Sequence, residues 1–209
     1  MTDLGMLRRF LEPAPKVVAG EVCEMCGEKL GDGHPHVVNT DSRQLLCTCR
    51  GCWLLFTPEG AAQGRFRAVD DRHRYDPSFR LSAAQWDMLQ IPVAMTFVFF
   101  NSTLERYVAF YPSPGGATES LLELDVWDDV MAANPAFADL LPDVEALLIE
   151  RGDDTFAGYL VPIDACYELV GTVRLHWKGF DGGQEAWEDI ARFFADLRDR
   201  SDRVQHDDA

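Results

Sequence analysis

Cys23-Glu-Met-Cys26-Gly27, His34-Pro-His36 and Cys47-Thr-Cys49-Arg-Gly-Cys52-Trp53 place five of the six cysteines and two of the five histidines within thirty residues. Two Cys-x-x-Cys pairs, 22 residues apart and the first followed by Gly27, meet the need of a tetrahedral thiolate site. Each pair turns tightly enough to offer two sulfurs to one ion. Cys23, Cys26, Cys49 and Cys52 are the symmetrical ligand set. Cys47, two residues from Cys49, would share its face of a strand, and His34 or His36 can replace one sulfur, so these three stand as substitutes.

Around the cysteines, Val37–Asn39, Gln44–Thr48 and Trp53–Phe56 read as short strands, the first two joined by the polar turn Asn39-Thr40-Asp41-Ser42. The expectation is a small zinc-ribbon module over 17–60. A core of that size does not offset the entropy of ordering its chain, so the metal contributes to folding. Zinc is the expected ion. Four thiolates also hold iron, and Cys23-x-x-Cys26-Gly27 is similar to a rubredoxin knuckle, whose electron-transfer role is the alternative reading. The second pair departs from that pattern because Trp53 follows Cys52. An iron–sulfur cluster on Cys47, Cys49, Cys52 and one partner also stays open.

Outward from the cysteines, Leu4, Leu7, Phe10 and Leu11 recur at helical spacing before Pro13, giving a docking helix within 1–16. Residues 61–90 read as a connecting segment with one strand from Arg65 to Val69. Its Ser82 and Gln85 form a capping-box signature for a short helix. Beyond it, 91–209 reads as a larger antiparallel-sheet and helix domain. Val93-Ala-Met-Thr-Phe-Val-Phe-Phe100 is too continuous for a half-exposed strand and indicates one covered on both faces. Tyr107–Tyr111 is its hairpin neighbour, and Val144–Glu150 a third strand. Trp127–Ala133, Tyr167–Trp177 and Ala186–Arg200 read as helices, the last with Trp187, Ile190, Phe193, Phe194 and Leu197 on one stripe. Strands followed by helices make the fold class α+β.

Charge narrows the function. Of the net charge of −16, residues 1–90 carry −1 and 91–209 carry −15. An acidic half of that size repels phosphates, so nucleic acid is not the expected partner. The one basic run, Arg65, Arg67, Arg72, His73 and Arg74, is diluted by Asp70 and Asp71 and reads as a solvated face. No apolar run reaches the roughly 20 residues of a membrane helix, and Thr2–Glu12 is too polar for a signal peptide. A cytoplasmic location with reduced thiols is the expectation.

The sequence leans away from an enzyme. It lacks a Gly-x-Ser-x-Gly elbow, a His-Glu-x-x-His pair and a dinucleotide fingerprint. Two features remain as candidates. The segment Tyr111–Ser120 reads as a loop whose Ser113, Gly115, Gly116, Thr118 and Ser120 can bind a ligand or partner through hydroxyls and close backbone. Cys166, at the start of an expected helix, is a candidate reactive thiol.

Cys23-x-x-Cys26, His34-Pro-His36, Leu46-Cys47-Thr-Cys49-Arg50-x-Cys52, Tyr111-Pro-Ser-Pro-Gly115, Asp143-Val-Glu-Ala-Leu147, Val161-Pro-Ile-Asp164 and Tyr167-Glu-Leu together carry a resemblance. The chain resembles an actinobacterial family whose members are encoded beside uptake nickel–iron hydrogenases and their maturation factors. What the resemblance implies is a neighbourhood rather than an activity. The expected function is a non-catalytic, metal-binding accessory or assembly protein whose partner is a hydrogenase subunit or maturation factor.

Overall fold

The computed structural model describes residues 22–120, 127–153, 155–179 and 181–206. The expected helix within 1–16 lies outside them. Two antiparallel sheets organise the chain. The small one is built from β1 (His36–Asn39), β2 (Gln44–Cys47) and β3 (Phe66–Ala68) in the order β2-β1-β3. Its hairpin turn is set by Asn39, whose side-chain oxygen accepts from the amides of Asp41 and Ser42.

The large sheet has seven strands: β4 (Arg74–Asp76), β5 (Met95–Asn101), β6 (Arg106–Ser113), β7 (Gly116–Ser120), β8 (Glu145–Arg151), β9 (Phe156–Pro162) and β10 (Asp202–Arg203). They run in the order β10-β4-β9-β8-β5-β6-β7, antiparallel except where β10 joins β4. Segment 61–90 is divided between the sheets, with β3 in the small one, β4 in the large one, and the helix α2 (Ala83–Met88) behind the large one. The Ser82–Gln85 capping box opens α2.

Both faces of the central strands are covered, as the unbroken apolar run predicts. On one face α4 (Ile163–His176) and α5 (Gly183–Arg200) bury Leu169, Val173, Phe194 and Leu197 against Phe97, Leu148 and Tyr159. On the other, α2, α3 (Trp127–Ala133) and the 3-10 turn Pro135–Phe137 that follows it bury Trp86, Trp127 and Phe137 against Val98, Leu147 and Ile149. Each fully buried large side chain contributes about 1.5–3 kcal/mol by leaving water. Val38 of β1 and Val69, just after β3, belong to the first of these cores. The small sheet is therefore docked on the large one through shared apolar surface.

Four expectations are corrected. Trp53–Phe56 is not a strand: α1 (Arg50–Leu54) occupies that stretch, opened by Cys49, whose sulfur accepts from the Cys52 amide. Tyr111–Ser120 is not a loop but the β6–β7 hairpin, turning at Pro114 and Gly115. Trp187 leaves the α5 stripe. It is 42 % exposed, donates to the Asp181 carbonyl and packs on Trp177, while Ala186 takes the buried position. Helix α4 begins at Ile163, four residues before the Tyr167 expected from the sequence, because Pro162 occupies its N-cap and the helix starts as soon as β9 ends.

The basic run is spent inside the molecule. Arg72 grips the buried Glu145 with two nitrogens, at 2.8 and 2.5 Å, and also reaches Asp139. Arg74 forks onto the same Asp139 at 2.7 and 2.8 Å. Arg65 pairs with Asp41, and Arg67 donates to the Pro142 carbonyl. The contacts of Arg67, Arg72 and Arg74 tie the crossing between the two sheets to the 139–145 segment.

Candidate metal centre

The first cysteine pair sits in a tight turn closed by a bridge between Val22 and Lys29. Within it the Gly27 amide donates to the Cys23 carbonyl, and Gly27 takes φ +78°, a left-handed conformation that a side chain would strain. The second pair is held by the first turn of α1. Trp53 anchors that turn: its indole N–H donates to the Val69 carbonyl at 2.7 Å, and the Arg50 guanidinium lies over its ring. The two pairs are joined through β2, since the Glu24 amide donates to the Cys47 carbonyl and the Glu24 carboxylate accepts from the Cys47 amide.

This scaffold brings the sulfurs of Cys23, Cys26, Cys49 and Cys52 within 4.8 Å of one another. The Cys26 and Cys49 sulfurs are 3.7 Å apart. A tetrahedral ion with metal–sulfur bonds of about 2.3 Å needs sulfurs about 3.8 Å apart, so the four cysteines can hold one metal ion. None of the six cysteines is in a disulfide. Burial works against ionising Cys23, but the amides of Cys49, Cys26 and Met25 directed at its sulfur outweigh this and hold it down to about 6. Cys52 is pushed well up, by burial first and then by the sulfurs of Cys26, Cys23 and Cys49. Four thiolates so close repel one another, and a cation among them reverses that balance. Cys23 and Cys52 are buried, whereas Cys26 is exposed.

Cys47, His34 and His36 do not join this group. They form a second cluster of their own, again with ligand atoms within 4.8 Å of one another. It opens on a cleft of about 660 Å³ whose lining includes Asp164, His73 and Arg200.

The remaining candidates lie elsewhere. Ser113 donates to the Gly116 carbonyl, accepts from the Gly115 amide and meets the Thr118 hydroxyl at 3.0 Å, so the hairpin turn consumes its own polar groups. Ser120 donates to the Leu89 carbonyl. Cys166 is fully buried in the core under α4, and burial pushes its thiol well above the ordinary range, the reverse of an activated thiolate. In the sequence Asp164 stood out only within the Val161-Pro-Ile-Asp164 motif of the resemblance, with no role attached. Its value comes from the early start of α4, which brings it to His36 across 128 residues.

A mixed α+β protein with a four-thiol cluster able to hold a metal ion is the class these features define. Residues 22–201 match one family model over most of the chain, and the protein belongs to that family, described as a family of unknown function, DUF5947. Searches of the curated proteins and of the solved structures find no match.

Proposed function

We propose that Cys23, Cys26, Cys49 and Cys52 bind one zinc ion that holds the small sheet in shape, and that the protein is a non-catalytic accessory or assembly factor. The observation that carries this reading is the convergence of four sulfurs from two rigid turns, one pinned by Trp53 and the other by Glu24. A structural ion is closed by four protein ligands, which is what this set provides. The partner we propose is a hydrogenase subunit or maturation factor, on the strength of the sequence resemblance and the acidic second half. Leu54 and Leu55, 51 % and 66 % exposed beside the second cysteine pair, supply an apolar contact surface.

Exposure of Cys26 favours a second reading, because an iron centre that passes electrons needs a ligand near the surface. Anaerobic purification followed by metal analysis and a visible spectrum separates the two. Zinc without iron, with one equivalent lost in a Cys23→Ser/Cys49→Ser variant, supports the structural ion; iron with a coloured spectrum overturns it in favour of electron transfer. For the partner, tagged protein from the native host should co-purify a hydrogenase component. Recovery of none under mild conditions counts against that role.

A further inference from the structure

His36 and Cys47 face each other in register across β1 and β2. Directly paired strand residues project on the same side, with their Cβ atoms about 5 Å apart. His34 lies two residues before His36, and Pro35 between them is locked by Thr48, whose amide and hydroxyl both donate to the Pro35 carbonyl at 2.9 Å. The two imidazoles lie with centroids 5.0 Å apart. All three residues offer ligand atoms within a 4.8 Å span. Metal–nitrogen bonds of about 2.0 Å and a metal–sulfur bond of about 2.3 Å need donor separations of about 3.3–3.5 Å, which small side-chain rotations reach from that span.

The ring nitrogens are already sorted. His34 Nδ1 is 3.0 Å from the Gly31 carbonyl, which only accepts, so Nδ1 carries the proton and Nε2 carries the lone pair. That Nε2 is buried and has no hydrogen-bond partner among the described residues. His36 Nδ1 is 2.8 Å from the Asp164 carboxylate, which fixes its ring in the same sense. A carbonyl or carboxylate behind each imidazole is the arrangement found behind metal-bound histidines, where it sets the tautomer and raises ligand basicity. A buried lone pair with nothing to accept is costly unless something fills its place.

We propose that His34, His36 and Cys47 form a second metal site, distinct from the four-cysteine centre and sharing no ligand with it. Two imidazoles and one thiolate select a divalent ion of the zinc, cobalt and nickel group over magnesium or calcium, which prefer oxygen. Three protein ligands leave a fourth position facing the cleft, as in sites that exchange a water or accept a donor from another molecule. Asp164 is a positioning residue: it touches no metal and orients His36. The proposal stands whether the four-cysteine centre holds zinc or iron.

The test titrates the reduced protein anaerobically with cobalt(II) and, separately, zinc(II), following stoichiometry and the cobalt absorption spectrum. Wild type should bind two equivalents. The His34→Ala/His36→Ala/Cys47→Ser variant should bind one, with the four-thiolate cobalt spectrum and far-ultraviolet circular dichroism unchanged. Should the triple variant fail to fold, His34→Ala, which alters only a loop ring, should likewise weaken one equivalent alone. Asp164→Asn should weaken that same equivalent by about 10–100-fold and leave the other untouched. Excess magnesium should displace neither. A single equivalent in wild type, two undiminished equivalents in the triple variant, or an Asp164→Asn protein with unaltered affinity would each overturn the assignment.

Discussion

Replacing Arg72 with Met tests how the crossing between the sheets is held. Glu145 is 1 % exposed, and besides the Leu141 amide its carboxylate is held by Arg72 alone among the described residues. The Met side chain keeps the apolar length but removes two charge-assisted hydrogen bonds to Glu145 and one to the Asp139 carboxylate, leaving the Glu145 carboxylate buried and uncompensated. Breaking such a pair costs about 3–5 kcal/mol. Arg72 is 31 % exposed and water relaxes part of the penalty, so the lower end, about 3 kcal/mol, is expected. With a urea dependence of about 3 kcal/mol per molar for a chain of this size, the unfolding midpoint should fall by about 1 M. Arg72→Met/Glu145→Gln, which removes the stranded charge but keeps an acceptor for the Leu141 amide, should recover about 2 kcal/mol in a double-mutant cycle. A single variant within 1 kcal/mol of wild type, or strictly additive effects, would refute the reasoning.

Other outcomes follow from the same geometry. Gly158→Ala would set a methyl 2.5 Å from the Phe79 ring, so calorimetry should show a destabilisation of about 1–3 kcal/mol, largely relieved when Phe79 is shortened to Leu. Hydrogen bonds from Arg74, then from Arg72, hold Asp139 down to about 2, so its stabilising contribution is complete above about pH 5 and disappears as pH falls towards 2. The group is 53 % exposed, so the loss is about 1 kcal/mol, and Asp139→Asn should flatten that part of the acid-unfolding curve. Cys166 should resist a thiol reagent in the native protein and react only at the rate of unfolding, as mass spectrometry of the labelled peptide would show. Chelation of the four-cysteine centre should expose the 22–70 segment to trypsin before the large sheet, whose own core does not include the cysteines of that centre.

How much of this was legible depended on the range of the signal. Cysteine spacing is local, and the four sulfurs meet because each turn is written within four residues. The central strand announced its burial through Val93–Phe100, and the Ser82 capping box through two residues. Strand β9 was illegible because Gly158 reads as a breaker, whereas its missing side chain makes room for the Phe79 ring. Trp53 read as strand because an aromatic after a cysteine carries β-propensity, while its indole bond to Val69 is tertiary and leaves no sequence trace. His34 and His36 were visible as spares for one ion, and Cys47 as a spare or as a ligand of an iron–sulfur cluster with Cys49 and Cys52. The β1–β2 turn was legible at Asn39–Ser42, but the Asp164 contact that orients His36 is tertiary and has no local signature.

The bond between His36 and Asp164 spans 128 residues, and that gives it a place in time as well as in space. At about 5–20 residues per second, the ribosome delivers Asp164 roughly 6–25 s after His36. The four cysteines are all made long before then, so during synthesis they can take up an ion early. The imidazole of His36 has no Asp164 to orient it until then, so a growing chain completes its four-cysteine set before the His36 ring is fixed.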